Sequence, residues 1–176
     1  MMVTSDLIGR TVSKNSTLIH FIGEADELNA HLGLVRAILA NEDAWQFSWQ
    51  NACQFIERIQ RNLMKIMSHA SDTENKDYYL NEREIVDLEK ETARLVNNIP
   101  KQKRFVMPGK NIIEAQIQIA RTVARRTERM YTAVHEENAL CKKSGEYLNK
   151  LSDYLYYLSQ QESLINVNFI NQIAGI

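Results

Sequence analysis

A chain of 176 residues with 44% hydrophobic and 24% charged residues has room for one domain with a sizeable core, and that balance excludes a disordered chain. Its formal net charge of -1 gives no global pull toward nucleic acid or an anionic membrane, so any anion site has to come from a local cluster. Two cysteines, Cys53 and Cys141, stand far apart with no CxxC spacing, which argues against a disulfide framework or a zinc site and for reduced packing thiols in a cytoplasmic protein.

The first residues, MMVTSDLIGRTVSK, hold no apolar core of signal-peptide length, and no later run approaches a membrane span. Glycine and proline are scarce, so the helical periods run long. Leu28, Leu32, Val35 and Leu39 fall on one face and predict a helix over 24–40. Phe55, Ile59, Leu63 and Ile66 keep the same rhythm over 45–70. Asn81 followed by Glu84 reads as a capping pair opening a third helix through Ile85, Leu88, Thr92 and Leu95. Asn98 to Lys110 holds both prolines and Gly109 and reads as a loop.

A fourth helix is predicted from about Asn111 to Val134. Ile112, Ile119, Val123, Met130 and Val134 repeat by seven and four, and Ile113, Ile117, Ala120 and Ala124 widen that face. After Gly145, Leu148, Leu151, Leu155 and Leu158 mark a fifth helix. No strand-like alternation competes before the tail. Five amphipathic helices with short connections predict an all-α fold, a five-helix antiparallel bundle filling 1–176 as one domain. The apolar tail over 166–176 has no regular pattern and no assigned role.

On the fourth helix Arg121, Arg125 and Arg129 recur every four residues, fanning across the side opposite the apolar stripe. A row of planar guanidinium forks on a rigid helix suits phosphate oxygens. A solvated face with weak surface ion pairs has the same appearance. Asp26, Glu27 and Asn29, in GEADELNAHLGL, fit a helix start, where the dipole favours acids. Asn149, Ser152 and Asp153 share one side of the fifth helix, where an asparagine often bonds across a bundle seam. His20, His31, His69 and His135 show no metal-ligand spacing, and neither GxxxxGK[ST] nor GxGxxG occurs. Tyr154, Tyr156 and Tyr157 point different ways on a helix and read as packing residues.

Five segments taken in order resemble the PduO-type ATP:cob(I)alamin adenosyltransferases: VSK at 12–14, GEADELNAHLGL at 23–34, FVMPG at 105–109, ARTVARRTERM at 120–130 and YLNKLSDYLYYL at 147–158. The resemblance spans about Thr4 to Leu158. Each motif is weak singly, and the ordered set is specific. It implies a homotrimer with active sites between subunits, with Mg-ATP and cob(I)alamin as substrates, and adenosylcobalamin and triphosphate as products. A cobalamin-dependent acceptor enzyme is a possible partner in that scheme, and nucleic acid and membrane are not partners.

Carried over position by position, the resemblance makes Arg125 and Arg129 phosphate ligands, with Glu128 supporting the ATP–magnesium site. Lys14 and Asn149, with Thr4 and Ser5, look like further ATP contacts, and Asp26 and Arg121 look like a pair joining neighbouring subunits. Phe105 looks like the aromatic residue on the lower face of the corrin ring, which together with Arg125 and Glu128 makes up the implied catalytic set. One departure stands out. The family's glycine-rich stretch, of the form YTxxGDxGxTSL, is represented in 1–20 only by Thr4 and Ser5, and FVMPGK is less glycine-rich than its family counterpart. The expectation is a shortened nucleotide loop, or else a chain whose true start lies upstream.

Overall fold

The structure is a computed structural model; it describes the backbone of residues 2–41, 46–99, 107–138 and 140–174, and the side chains in that range apart from 41, 46–49 and 162–174. Among the described residues five α-helices form, α1 Thr17–Asn41, α2 Gln46–Ser71, α3 Glu82–Asn97, α4 Ile112–Asn138 and α5 Lys142–Ala174, with a single 3-10 turn at Lys76–Tyr78 between α2 and α3. α4 packs between α1 and α5, α2 lies on α1, and α3 lies on α5. The all-α bundle expected from the periodicity is therefore the fold, with one addition at its start.

That addition is an antiparallel hairpin of β1 Val3–Ser5 and β2 Thr11–Ser13, with Thr4 opposite Val12. Strands of three residues are too short to show alternation in a sequence. A side chain makes the turn between them. Asp6 Oδ1 accepts the N–H groups of Ile8 at 3.1 Å and Arg10 at 2.8 Å, and Oδ2 accepts Arg10 Nε at 2.8 Å. Gly9 adopts φ 82°, a left-handed conformation that favours glycine. Burial pushes the Asp6 carboxyl up, but the Arg10 guanidinium and the two backbone N–H groups outweigh it and hold the carboxyl below its ordinary value. The Arg10 guanidinium also donates to the Ser71 carbonyl at the end of α2, which ties the hairpin to the bundle.

The core follows the predicted stripes on four helices. Leu28, Leu32, Val35 and Leu39 are buried on α1; Ile59, Leu63 and Ile66 on α2; Ile85, Leu88 and Leu95 on α3; Leu148, Leu151, Leu155 and Leu158 on α5. Each such side chain contributes about 1.5–3 kcal/mol by leaving water. Tyr131, buried against Phe21 with ring centroids 5.2 Å apart, donates its hydroxyl to the Cys141 carbonyl, and burial pushes that hydroxyl up to about 12. Tyr154 is fully buried against Phe55 and is packing material, as expected, whereas Tyr156 and Tyr157 are half-buried. Cys53 and Cys141 are free thiols and only half-buried.

Four expectations need correction. On α4 the seven-and-four series is not the core stripe throughout, since Ile112 is 75% exposed and Ile119 43% exposed. The buried face runs through the residues expected to widen it, Ile113, Ile117, Ala120 and Ala124, together with Val123 and Val134 of the series and Tyr131. α1 begins at Thr17 rather than near residue 24, and α5 begins at Lys142, so that Gly145 lies inside its first turn, beside the Tyr131 ring. The tail is not irregular, since α5 carries its backbone on to Ala174.

Candidate functional site

α4 presents the arginine row. Four-residue spacing sets Arg121, Arg125 and Arg129 about 6 Å apart along the axis, each turned about 40° from the last. Arg125 and Arg129 are exposed, and neither makes an ion pair or side-chain hydrogen bond among the described residues. Arg121 is half-buried and donates Nε to Gln118 Oε1 at 2.6 Å; Gln118 in turn donates to Ser159 Oγ on α5 at 2.9 Å.

The fourth arginine behaves differently. Arg126 donates Nε to Glu24 and a terminal nitrogen to Glu27, both on α1, so its charge is spent holding α4 to α1. Those side-chain hydrogen bonds raise its pKa further above the usual guanidinium value. Thr127 Oγ1 reinforces the seam by donating to the Glu24 carbonyl at 3.1 Å. With Glu24 and Glu27 occupied, no carboxylate of this seam neutralises Arg125 or Arg129.

Glu128 faces α5. Asn149 Nδ2 donates to Glu128 Oε1 at 2.9 Å, which brings together two residues named from sequence on different helices. The seam reading of Asn149 and the site reading therefore meet in one contact. Asp26 is exposed on α1, and Arg121 does not pair with it within the chain. Thr4 and Ser5 lie in β1, and Lys14 follows β2, exposed, its N–H donating to the Met2 carbonyl at 3.2 Å. Phe105 lies outside the described residues.

Sequence reasoning missed the organising role of Asp6, Arg10 and Arg126. An Asp at a turn four residues before an arginine is a local signal available in TSDLIGR; the Arg126 clamp is not, because its partners stand 99 and 102 residues away. Among the described residues no group of three or more His, Cys, Asp or Glu side chains is placed to hold a metal ion. No helix among them is long and apolar enough to cross a membrane.

The described residues form a helical bundle in which two exposed arginines, Arg125 and Arg129, stand on either side of a carboxylate bonded by the Asn149 amide. The chain belongs to the cobalamin adenosyltransferase family, whose profile matches residues 3–162. It is 31% identical over 151 residues to a corrinoid adenosyltransferase of Bacillus subtilis (strain 168), covering 85% of this chain and 76% of that protein. It is 32% identical to a cobalamin adenosyltransferase of Cupriavidus metallidurans, covering 86% of this chain and 78% of the relative. Against the corrinoid adenosyltransferase PduO of Salmonella typhimurium the identity is 32%, over 90% of this chain but 46% of the longer relative. In fold it matches a phenylalanine-to-alanine variant of a PduO-type ATP:corrinoid adenosyltransferase from Lactobacillus reuteri complexed with cobalamin and ATP. The TM-score is 0.81 at 23% identity, covering 93% of this chain and 90% of that one.

Proposed function

We propose that the chain transfers the 5′-deoxyadenosyl group of ATP to the cobalt of cob(I)alamin. The carrying observation is the pair of exposed arginines, Arg125 and Arg129, which make no ion pair among the described residues and flank a Glu128 that Asn149 holds in place. In this reading the electron pair of cobalt(I) forms a bond to C5′ of ATP. The C5′–O bond breaks, and triphosphate leaves with that bond's electrons. The guanidinium groups of Arg125 and Arg129 stabilise the leaving triphosphate as its charge develops. Glu128 supports the magnesium that accompanies ATP, Lys14, Thr4, Ser5 and Asn149 add nucleotide contacts, and Phe105 keeps water and an axial base from the lower face of the corrin.

The same reading makes the protein a homotrimer in the cytoplasm, with Asp26 of one subunit meeting Arg121 of the next and a cobalamin-dependent enzyme receiving the product. Support for assembly comes from α4, where Ile112 and Ile119 stand exposed and apolar two helical turns apart. Asp26 adds to it by standing exposed beside the clamp that occupies its neighbours Glu24 and Glu27.

A second reading, a relative that binds cobalamin or nucleotide without turnover, is favoured by one feature. Of the family's glycine-rich phosphate stretch only Thr4 and Ser5 are matched, and both lie in β1 of the hairpin whose turn Asp6 holds through Ile8 and Arg10. Anaerobic incubation with magnesium ATP and reduced cobalamin separates the two: adenosylcobalamin formed at catalytic rates supports transfer, and saturable binding without product supports the second reading.

A further inference from the structure

The geometry points to Gln118 as a positioning residue that holds the Arg121 guanidinium by one nitrogen and presents the other two to a carboxylate, Asp26, of a second copy of the chain. The docking half of this inference rests on the homotrimer reading; the hold on Arg121 does not. Gln118 is 5% exposed and lies three residues before Arg121, on the same side of α4. Its Oε1 accepts Arg121 Nε at 2.6 Å, and its Nε2 donates to Ser159 Oγ on α5 at 2.9 Å.

Ser159 decides which way that amide faces. It is fully buried, and its hydroxyl donates to the Tyr156 carbonyl at 2.7 Å. With its one proton committed there, the Ser159 oxygen serves its other neighbours as an acceptor. It accepts from Gln118 and, at 3.2 Å, from Gln160 Nε2. The amide nitrogen of Gln118 therefore has to face α5, and its carbonyl oxygen has to face Arg121. An amide turned the other way would set oxygen against oxygen at Ser159 and donor against donor at Arg121. The relay has one polarity, from guanidinium to amide to hydroxyl to helix carbonyl.

What the relay leaves open is the other end of the guanidinium. Beyond Nε, Arg121 makes no ion pair or hydrogen bond among the described residues, and neither terminal nitrogen is a buried orphan, so both reach solvent. Two parallel N–H groups in one plane suit a carboxylate held bidentately. Glu24 and Glu27 are already taken by Arg126. Asp26, exposed between them, has no partner among the described residues. An arginine already held by the core gives up less side-chain freedom when a carboxylate docks on it, so the hold strengthens association without adding a contact between copies.

The test measures self-association of the full chain by sedimentation equilibrium over a dilution series, for the parent, Gln118→Met, Asp26→Asn and the double variant. Methionine keeps the length of the side chain, and Ser159 keeps its bonds to Tyr156 and Gln160, so little else in the seam changes. Gln118→Met should raise the concentration of half-dissociation about fivefold or more, and less than twofold where Asp26 is already Asn. Equal shifts in the two backgrounds overturn the link to Asp26 and leave Gln118 a packing residue of the seam. Hydrogen exchange at the Arg121 Nε–H, read by NMR, should be at least tenfold faster in Gln118→Met. It should stay within threefold of the parent in Gln118→Glu, which keeps an acceptor for that N–H. Unchanged exchange in Gln118→Met overturns the hold. If Gln118→Met does not fold, Ser159→Ala removes the group that turns the amide and should shift both readouts the same way by twofold or more. A parent chain that stays monomeric at every concentration sinks the homotrimer reading and the docking half with it, and the Nε exchange would still decide the hold.

Discussion

The two sides of the bundle treat their arginines in opposite ways. Where α2 meets α3, Arg58 pairs with Glu84 at 3.0 Å and Asp87 at 2.6 Å, lies over the Phe55 ring, and shares Glu84 with the buried Asn62. Arg36 is similarly held by Glu57 and Gln60 between α1 and α2. On α4, Arg126 belongs to this class, but Arg125 and Arg129 carry their charge into solvent with no carboxylate among the described residues to meet it. A structural arginine arrives with its counter-charge on the neighbouring helix; an arginine kept for an external anion does not. Sequence spacing alone cannot sort the two, since Arg125 and Arg126 are adjacent and differ only in which way the helix turns them.

Substitutions on each side separate these roles. The largest stability effect belongs to the paired side. Asn62 donates to Glu84 and to the Tyr147 hydroxyl at 3.2 Å in a buried seam, so Asn62→Ala should cost about 2 kcal/mol and lower Tm by roughly 4–8 °C. Its KM for ATP should not move, and thermal melts beside kinetics check both halves. On the open side the order reverses: Arg125→Ala should lower kcat/KM at least tenfold, about 1.4 kcal/mol of transition-state stabilisation, and leave Tm within a degree or so. A loss below tenfold would remove Arg125 from the catalytic set.

Asn149→Ala should have a smaller effect, roughly fivefold in kcat/KM or about 1 kcal/mol, because Glu128 remains but loses the donor that orients it. A kcat/KM equal to that of the parent would leave Asn149 a seam residue and nothing more. The smallest expected effect is in the hairpin. The Asp6 carboxyl sits below its ordinary value of 3.8 in the folded chain, so its contribution is present above that pH and is lost as pH falls through the lowered folded value. Asp6→Asn should flatten that part of the acid limb in a stability-versus-pH titration, and an unchanged limb would show that the Arg10 contact contributes nothing there.

Much of this contrast was legible before any coordinates. The stripes of α1, α2, α3 and α5 follow from leucine and isoleucine spacing because those faces have one buried side and one wet side. α4 was harder, since two apolar series one position apart fit the same residues. Packing against both α1 and α5 chose the Ile113–Ile117–Ala120–Ala124 face and left Ile112 and Ile119 outside. The arginine row and Asn149 were visible as residues, but their difference in pairing depends on helices about a hundred positions apart in the chain. The hairpin escaped notice because three-residue strands carry no period and a side chain, Asp6, does the work of the turn.

The most direct test of the central claim is an anaerobic single-turnover experiment with the purified chain, magnesium ATP and chemically reduced cobalamin, run beside Arg125→Ala and followed by absorbance. The account predicts adenosylcobalamin from the parent chain and at least tenfold slower formation from the variant at equal cobalamin binding. Equal rates from the two proteins, or no product from a chain that still binds both substrates, would contradict it.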